Sequence, residues 1–304
     1  MQGTPPSVDL RAPPPCETLE PQALTSPLVL SSPHSGCYYP PAFLAASRLS
    51  PEALRSSEDV AVDDLFAAGP LHGAPLLKAN YPRAYIDVNR EAGELDGKLF
   101  DPSPTPSPPP RSIRVAAGLG VVPRVVSEGQ PIYDGRIPLA DGLARIELVY
   151  RPYHTQLDLL MERAMQKFGA AILIDCHSMP SRMPTGDSRR PYEPIGADIV
   201  IGDRYGASCD AGFAHRVHAL LSGMGYRVAR NKPYAGGFIT EHYAARGRNR
   251  HALQIEINRA LYMDEKTFEL LPAYERIKAD LAKLIAAVAA APQISQAVPR
   301  LAAE

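Results

Sequence analysis

This 304-residue chain has no excess of acidic over basic residues or the reverse, no extended apolar stretch and no paired cysteines. Lys+Arg number 32 and Asp+Glu 33, a formal net charge of −1, with no block of like charge. Such a surface offers no track for a nucleic-acid backbone or an anionic membrane, so neither is expected as a partner. No apolar run approaches the about 18 residues that mark a membrane span, and the chain does not open on a basic-then-apolar signal. The four cysteines, Cys16, Cys37, Cys176 and Cys209, form no CxxC pair and no dense pattern. That spacing argues against a disulfide scaffold and for a reducing compartment, so a cytoplasmic protein is expected. Cys37 and Cys176 are expected to be small buried hydrophobes. HExxH and GxSxG are absent too, and Gly236-Gly237 lies outside any GxxxxGK[ST] loop. A nucleophilic Ser35 or Ser178 and a phosphate-cradling loop therefore lack their usual signatures.

With 45% hydrophobic residues the chain can bury a full core. Residues 1–25 carry six prolines from Pro5 to Pro21 and few large apolar groups, which predicts an arm, mobile or draped over the surface. Residues 26–292 then read as one domain, and 293–304 as a tail. Apolar runs predict strands beginning at Pro27, over Pro75–Ala79, Ala84–Val88, Gly118–Val126, Ala171–Ile174, Ala197–Ile201, Tyr226–Ala229 and Leu253–Ile257. Between them, helical spacing predicts helices over Pro51–Ala68, through Leu157, Leu160, Met161, Ala164 and Phe168, over Ala211–Ser222, and from about Glu265 to Ala291. The last would bury Leu270, Leu271, Tyr274, Ile277, Leu281, Leu284 and Val288. The proline-rich segment 101–110 predicts a surface loop. Alternating strands and helices imply an α/β layered architecture.

Two strands end in chemistry. Ala171-Ile-Leu-Ile breaks into Asp175, Cys176, His177 and Ser178 before Pro180, and Leu28-Val-Leu leads to Pro33-His34-Ser35-Gly36. In open α/β sheets ligands sit beyond the carboxyl ends of the strands, which makes both histidines candidates for function. In Leu253–Asn258 a period of two puts Gln254, Glu256 and Asn258 on the face opposite Leu253, Ile255 and Ile257. A carboxylate inside an apolar strand must be paired, protonated or set against a metal; an ion pair of Glu256 with Arg259 is the plain alternative. Two histidines and one acid from separate elements fit a catalytic zinc site with an open fourth position. Asp59 is the preferred acid because it opens the helix after the first strand, with Glu58 and Asp63 as substitutes. Ser56-Ser-Glu-Asp59 also has capping-box spacing, so Asp59 alternatively caps its helix, sharing a face with Asp63.

Five segments, in order, carry a resemblance: Pro33-His34-Ser35-Gly36, Tyr85-Ile-Asp87-Val-Asn89-Arg90, Asp175-Cys-His177-Ser178, Asn231-Lys-Pro-Tyr234-Ala-Gly-Gly237 and Gln254-Ile-Glu256-Ile-Asn258-Arg259-Ala-Leu-Tyr262. Together, over about residues 28–264, the chain resembles the N-formylglutamate amidohydrolase family, which is similar in fold and site logic to zinc carboxypeptidases, cell-wall amidases and aspartoacylases. The resemblance implies a three-layer α/β/α fold with a mixed central sheet of the phosphorylase/hydrolase, zinc carboxypeptidase-like kind. It implies one Zn2+ per chain on His34, Asp59 and His177, with Glu256 as general base, in hydrolysis of N-formyl-L-glutamate to formate and L-glutamate by metal-activated water. Histidine catabolism is the implied context. Arg90 and Asn89, in a segment similar to the Asp-Leu-Asn-Arg of aspartoacylases, and Tyr234 with Gly237 are the implied substrate contacts; Arg83, Arg248 and Arg259 are further cations. The chain departs from the carboxypeptidase pattern at Cys37, where that pattern places its acidic ligand, so the acid comes from further along. A zinc amidase for another N-acyl amino acid or a peptidoglycan stem amide is the alternative, and a non-catalytic binding protein a third reading against which Glu256 argues. The expected partner is a small-molecule substrate, and the expected assembly a monomer or small homo-oligomer.

Overall fold

The computed structural model describes residues 12–104, 113–126, 129–185 and 187–290. Parts of the expected arm (residues 1–11), proline-rich loop (105–110) and C-terminal segment (291–304) lie outside them. Along the chain the strands are β1 (Cys16–Leu19), β2 (Leu28–Ser32), β3 (Leu76–Ala79), β4 (Phe100–Asp101), β5 (Ile137–Pro138), β6 (Ala171–Met179), β7 (Arg182–Pro184), β8 (Tyr192–Pro194), β9 (Ile199–Gly202), β10 (Val228–Arg230) and β11 (Arg250–Asn258). The α-helices are α1 (Pro41–Ala46), α2 (Pro51–Arg55), α3 (Val62–Leu65), α4 (Ile113–Ala116), α5 (Leu139–Arg145), α6 (Arg151–Phe168), α7 (Ala211–Gly223), α8 (Phe238–His242) and α9 (Tyr274–Ala290). Seven strands form one mixed sheet in the order β1-β3-β2-β6-β11-β9-β10. The central run β3-β2-β6-β11 is parallel, while β1 and β9 pair antiparallel to their inner neighbours.

Alternation along the strands builds two cores. Leu28, Leu30, Ile172, Ile174, Leu253, Ile255 and Ile257 face a core completed by α3, α7 and α9. Val29, Ala171, Leu173 and Ala252 face the other, completed by α1, α2, α6 and α8. On that second face the apolar positions give way, toward the carboxyl ends, to Ser31, Asp175, His177, Gln254 and Glu256, all buried. The same face thus anchors a core at one end and collects polar groups at the other. This is the α/β/α fold with a mixed sheet that the resemblance implied.

Several expected elements are drawn differently. Cys16–Leu19, inside the expected arm, is an edge strand paired with β3, because its backbone satisfies the open edge there. Ala84–Val88 is a turn: the Asp87 carboxylate accepts the Asn89 N–H at 2.9 Å, an Asx turn that competes with strand pairing. Gly118–Val126 is also irregular, with Val125 bridging Pro131, yet Val121, Val122 and Val126 are buried. The helix expected over 51–68 is split between α2 and α3, with Ala61 in the left-handed region (φ 58°). The C-terminal helix starts only at Tyr274, since Pro272 disfavours helical geometry at Leu271; Leu270 and Leu271 are exposed rather than core-facing. A π-helical turn, Ile146–Tyr150, precedes α6, where Pro152 has no N–H to continue the regular ladder. All four cysteines are free; Cys176 is buried, but Cys37 is exposed, in the loop after the chain has left the sheet at Ser32. No helix among the described residues is long and apolar enough to cross a membrane.

Candidate metal centre and active site

Because β2, β6 and β11 run parallel, their carboxyl ends deliver His34, His177 and Glu256 to one edge of the sheet. Glu256 pairs in register with His177, and Gln254 with Asp175, so the alternation that buries Leu173 also sets these side chains on a common face. Asp59 arrives in the break between α2 and α3, its N–H held by the His34 carbonyl at 3.0 Å. The alternative reading as a helix cap is thereby corrected: the Asp59 carboxylate points away from its own turn, accepting from Ser178 Oγ at 3.1 Å and Arg259 Nη2 at 3.0 Å. Arg259 is accordingly not the ion-pair partner of Glu256. Asp59 and Asp63 do not share a helix face, and Asp63 lies 3.5 Å from Lys78. Glu58 accepts from Tyr39 and Arg55 instead.

His34, Asp59 and His177 are buried and offer one ligand atom each, all within 4.8 Å of one another. His34 Nε2 lies 2.7 Å from Asp87 Oδ1, and His177 Nε2 lies 3.0 Å from Asp175 Oδ2. With each Nε2–H donated to its carboxylate, both Nδ1 lone pairs face Asp59 Oδ2, at 3.5 Å for His34 and 3.0 Å for His177. His34 Nδ1 is buried with no hydrogen-bond partner. Two lone pairs converging on a carboxylate oxygen repel unless a proton or a cation lies among them, so this donor set fits a metal ion. Two imidazoles and one carboxylate suit zinc-like divalent ions, and the carboxylates behind the rings fix their tautomers. Asp87→Asn is therefore expected to weaken metal binding about 10–100-fold while leaving the fold intact, which a competitive chelator titration would read.

The electrostatics follow from burial and these contacts. Where a proton stands in for the ion, burial opposes ionisation of Asp59, but the His177 and His34 rings beside it, able to take up that proton at Nδ1, hold it well below the usual carboxylate range. Burial likewise opposes a charged Asp87, and Arg83, Arg90 and His34 override it. Burial disfavours a protonated His177, yet Asp175, Asp59 and Glu256 drive its pKa well above that of a free imidazole. Glu256 is pushed up to about 7, first by burial, with His177 opposing and Asp59 and Asp175 adding repulsion. A carboxylate near 7 can both take and return a proton.

These groups open into a cavity of about 1340 Å³, also lined by Asn89, Arg90, Tyr234 and Gly237. Arg90 already donates to the carbonyls of Leu119 and Asn89. Asn89 spends both ends of its amide: Nδ2 lies 3.0 Å from His177 Nε2 and donates to Asp175 at 3.2 Å, and Oδ1 accepts from the Ile239 N–H at 2.8 Å. A Cβ at Gly237 would lie 2.6 Å from Asn89 Oδ1, so glycine is required there by close approach. Gly237 N–H donates to Gln254 Oε1 at 3.0 Å, and Gln254 Nε2 donates to Glu256 Oε1 at 2.8 Å, tying the Tyr234–Gly237 loop to the carboxylate. Arg248 does not line the cavity, whereas Arg83 lines it and pairs with Asp87 at 2.7 Å. Sequence reasoning assigned no role to Asp175 and Gln254, although both stand inside quoted segments at even spacing from His177 and Glu256. It gave Asp87 none either, since its link to His34 spans 53 positions.

A family model described as N-formylglutamate amidohydrolase matches residues 26–263. An N-formylglutamate deformylase of Pseudomonas aeruginosa is 32% identical over 266 residues, covering 86% of this chain and 89% of that protein. One from Pseudomonas putida is 30% identical over 247 residues, covering 79% and 82%. The crystal structure of N-formylglutamate amidohydrolase from Ralstonia eutropha superposes with a TM-score of 0.83 at 37% identity, covering 91% of this chain and 97% of that one.

Proposed function

Since this chain belongs to the N-formylglutamate amidohydrolase family, a family of hydrolases, we propose that it is a zinc-dependent enzyme splitting N-formyl-L-glutamate into formate and L-glutamate. The observation that carries this reading is the placement of Glu256, in register beside His177 at the edge where His34, Asp59 and His177 converge. His34 and His177 would hold the ion through Nδ1 and Asp59 through its carboxylate. When bound, zinc supplies a Lewis acid for the formyl oxygen and lowers the pKa of a water toward about 7.

Glu256 takes the proton of the attacking water and returns it to the departing nitrogen, so the amine leaves neutral. Gln254 holds one oxygen of that carboxylate and leaves the other free for the proton. Arg90 grips the α-carboxylate of the substrate, and Asn89 keeps the neighbouring loop and Asp175 in place. Tyr234, whose hydroxyl is pushed up to about 12 by burial and by Glu256, stays protonated and donates to the substrate. Gly237 lets that loop approach. The free cysteines accord with a cytoplasmic enzyme.

The cavity exceeds the roughly 300–1,000 Å³ of common ligand pockets, which favours, as a second reading, a bulkier N-acyl amino acid. Formate release from N-formyl-L-glutamate by zinc-loaded protein tests the first reading, with N-acetyl and longer acyl glutamates beside it. Formate release well above chelated protein supports it. Turnover of the longer acyl compounds alone would overturn it.

A further inference from the structure

Leaving β6 two residues after His177, the chain folds into a hairpin, β7–β8, that belongs to no other sheet. Its base is fixed: Ser181 N–H donates to Glu265 Oε1 at 2.8 Å and Ile195 N–H to the Ser181 carbonyl at 2.9 Å. Met183 and Ile195 pack with Met179 and Val200, against which Tyr234 also rests. The tip is ordered by Thr185, which donates through its N–H to the Pro191 carbonyl and through its hydroxyl to the Arg190 carbonyl, and by Asp187, which accepts the Arg189 N–H at 2.8 Å. Arg189 and Arg190 line the cavity, and no carboxylate among the described residues pairs with either guanidinium.

Of the other arginines lining the cavity, Arg182 donates to the Tyr192 carbonyl at 3.1 Å, and Arg114 also borders a smaller cleft with Glu91 and Glu94. Arg83 and Arg259 are committed, and Arg90 is already assigned to the α-carboxylate. Arg83 is bound to Asp87, Arg259 to Asp59 and Ser178, and Arg90 to two carbonyls. A substrate with two carboxylates needs a second cationic contact, and exposed guanidiniums with no carboxylate partner among the described residues are suited to supply it. We propose that Arg189 and Arg190, at the tip of the hairpin that follows the His177 strand, form the specificity subsite for the side-chain carboxylate of an acidic N-acyl amino acid. The inference rests on the hydrolase reading above and goes beyond it by saying what rejects neutral substrates. The hairpin tip lies outside both cores, so substitutions there spare the fold.

The test compares kcat/KM for N-formyl-L-glutamate and its neutral isostere N-formyl-L-glutamine in the zinc-loaded protein, an Arg189→Gln/Arg190→Gln double variant and an Arg189→Lys/Arg190→Lys variant. Arg151→Gln, exposed on α6, serves as a control. The glutamine pair is expected to lose 10- to 100-fold on the glutamate substrate, mainly through KM, with the neutral substrate within twofold. The lysine pair should recover part of the loss. Calorimetric binding of L-glutamate, independent of turnover, should weaken in parallel. If wild-type protein releases formate and the double variant keeps its discrimination, the subsite is wrong and the hydrolase reading stands. If wild-type protein releases formate from neither compound, the substrate reading falls and the subsite with it.

Discussion

Glu256→Gln is expected to lower kcat for formate release by about 10²–10⁴, the usual worth of a positioned general base. KM should change little, because the amide keeps the size of the side chain and its link to Gln254. Metal content should be unchanged, since Glu256 stands outside the His34, Asp59 and His177 set. The pH profile adds an independent signature. Burial and the charges of Asp59 and Asp175 raise the Glu256 pKa to about 7, and a base works only when ionised. Activity should therefore climb with rising pH through an acid limb. A bound dication favours the charged carboxylate, so in metal-loaded protein that limb lies at or below about 7. The limb should be missing from the residual activity of Glu256→Gln. If kcat and the acid limb both survived the substitution, the base would lie elsewhere.

Removal of the metal is expected to abolish formate release, and stoichiometric zinc to restore it. Stability should follow. A ligand bound only by the folded chain adds RT ln(1 + [L]/Kd), about 4.1 kcal/mol at a thousandfold excess over Kd, so the loaded protein should melt measurably higher than the chelated one. His34→Ala removes one of the two imidazoles and should cost more metal affinity than the about 10–100-fold governed by a supporting carboxylate such as Asp87. In that variant zinc should no longer raise the melting temperature, whereas in Asp87→Asn it should, at higher zinc. An undiminished thermal response in His34→Ala would remove His34 from the ligand set.

The architecture was largely legible from hydrophobic pattern. Ala171–Ile174 read as a strand because side chains buried on both faces leave a continuous apolar run, and Leu253–Ile257 because of its period of two; both emerged inside longer central strands. The expected helices near α6 and α7 likewise announced themselves by one buried stripe. Pattern failed where polar local contacts or proline outweighed it. Ala84–Val88 has a strand's composition, but the Asp87 turn and a buried loop use it better. Residues 265–273 have helical spacing, but Pro272 ends that option.

His34, His177 and Glu256 were visible in the sequence for one reason. Polar side chains at the ends of apolar strands contradict the local pattern, and such contradictions collect where a site is built. Asp59 could be nominated but not chosen over Glu58 and Asp63, because the choice depends on where the chain breaks between α2 and α3. What the sequence by itself determined is therefore the strands β2, β3, β6, β9, β10 and β11 and the residue types at the carboxyl ends of β2, β6 and β11, since periodicity and burial are local properties, whereas the strand order and its parallel run are tertiary. Only the tertiary structure decided which acid meets the two histidines, that Asp87 and Asp175 stand behind them, and that Arg259 serves Asp59 while Arg189 and Arg190 reach the cavity. Those pairings join positions such as 59 and 259, 200 apart in the chain, and nothing in a local pattern encodes a contact that sheet order alone brings about.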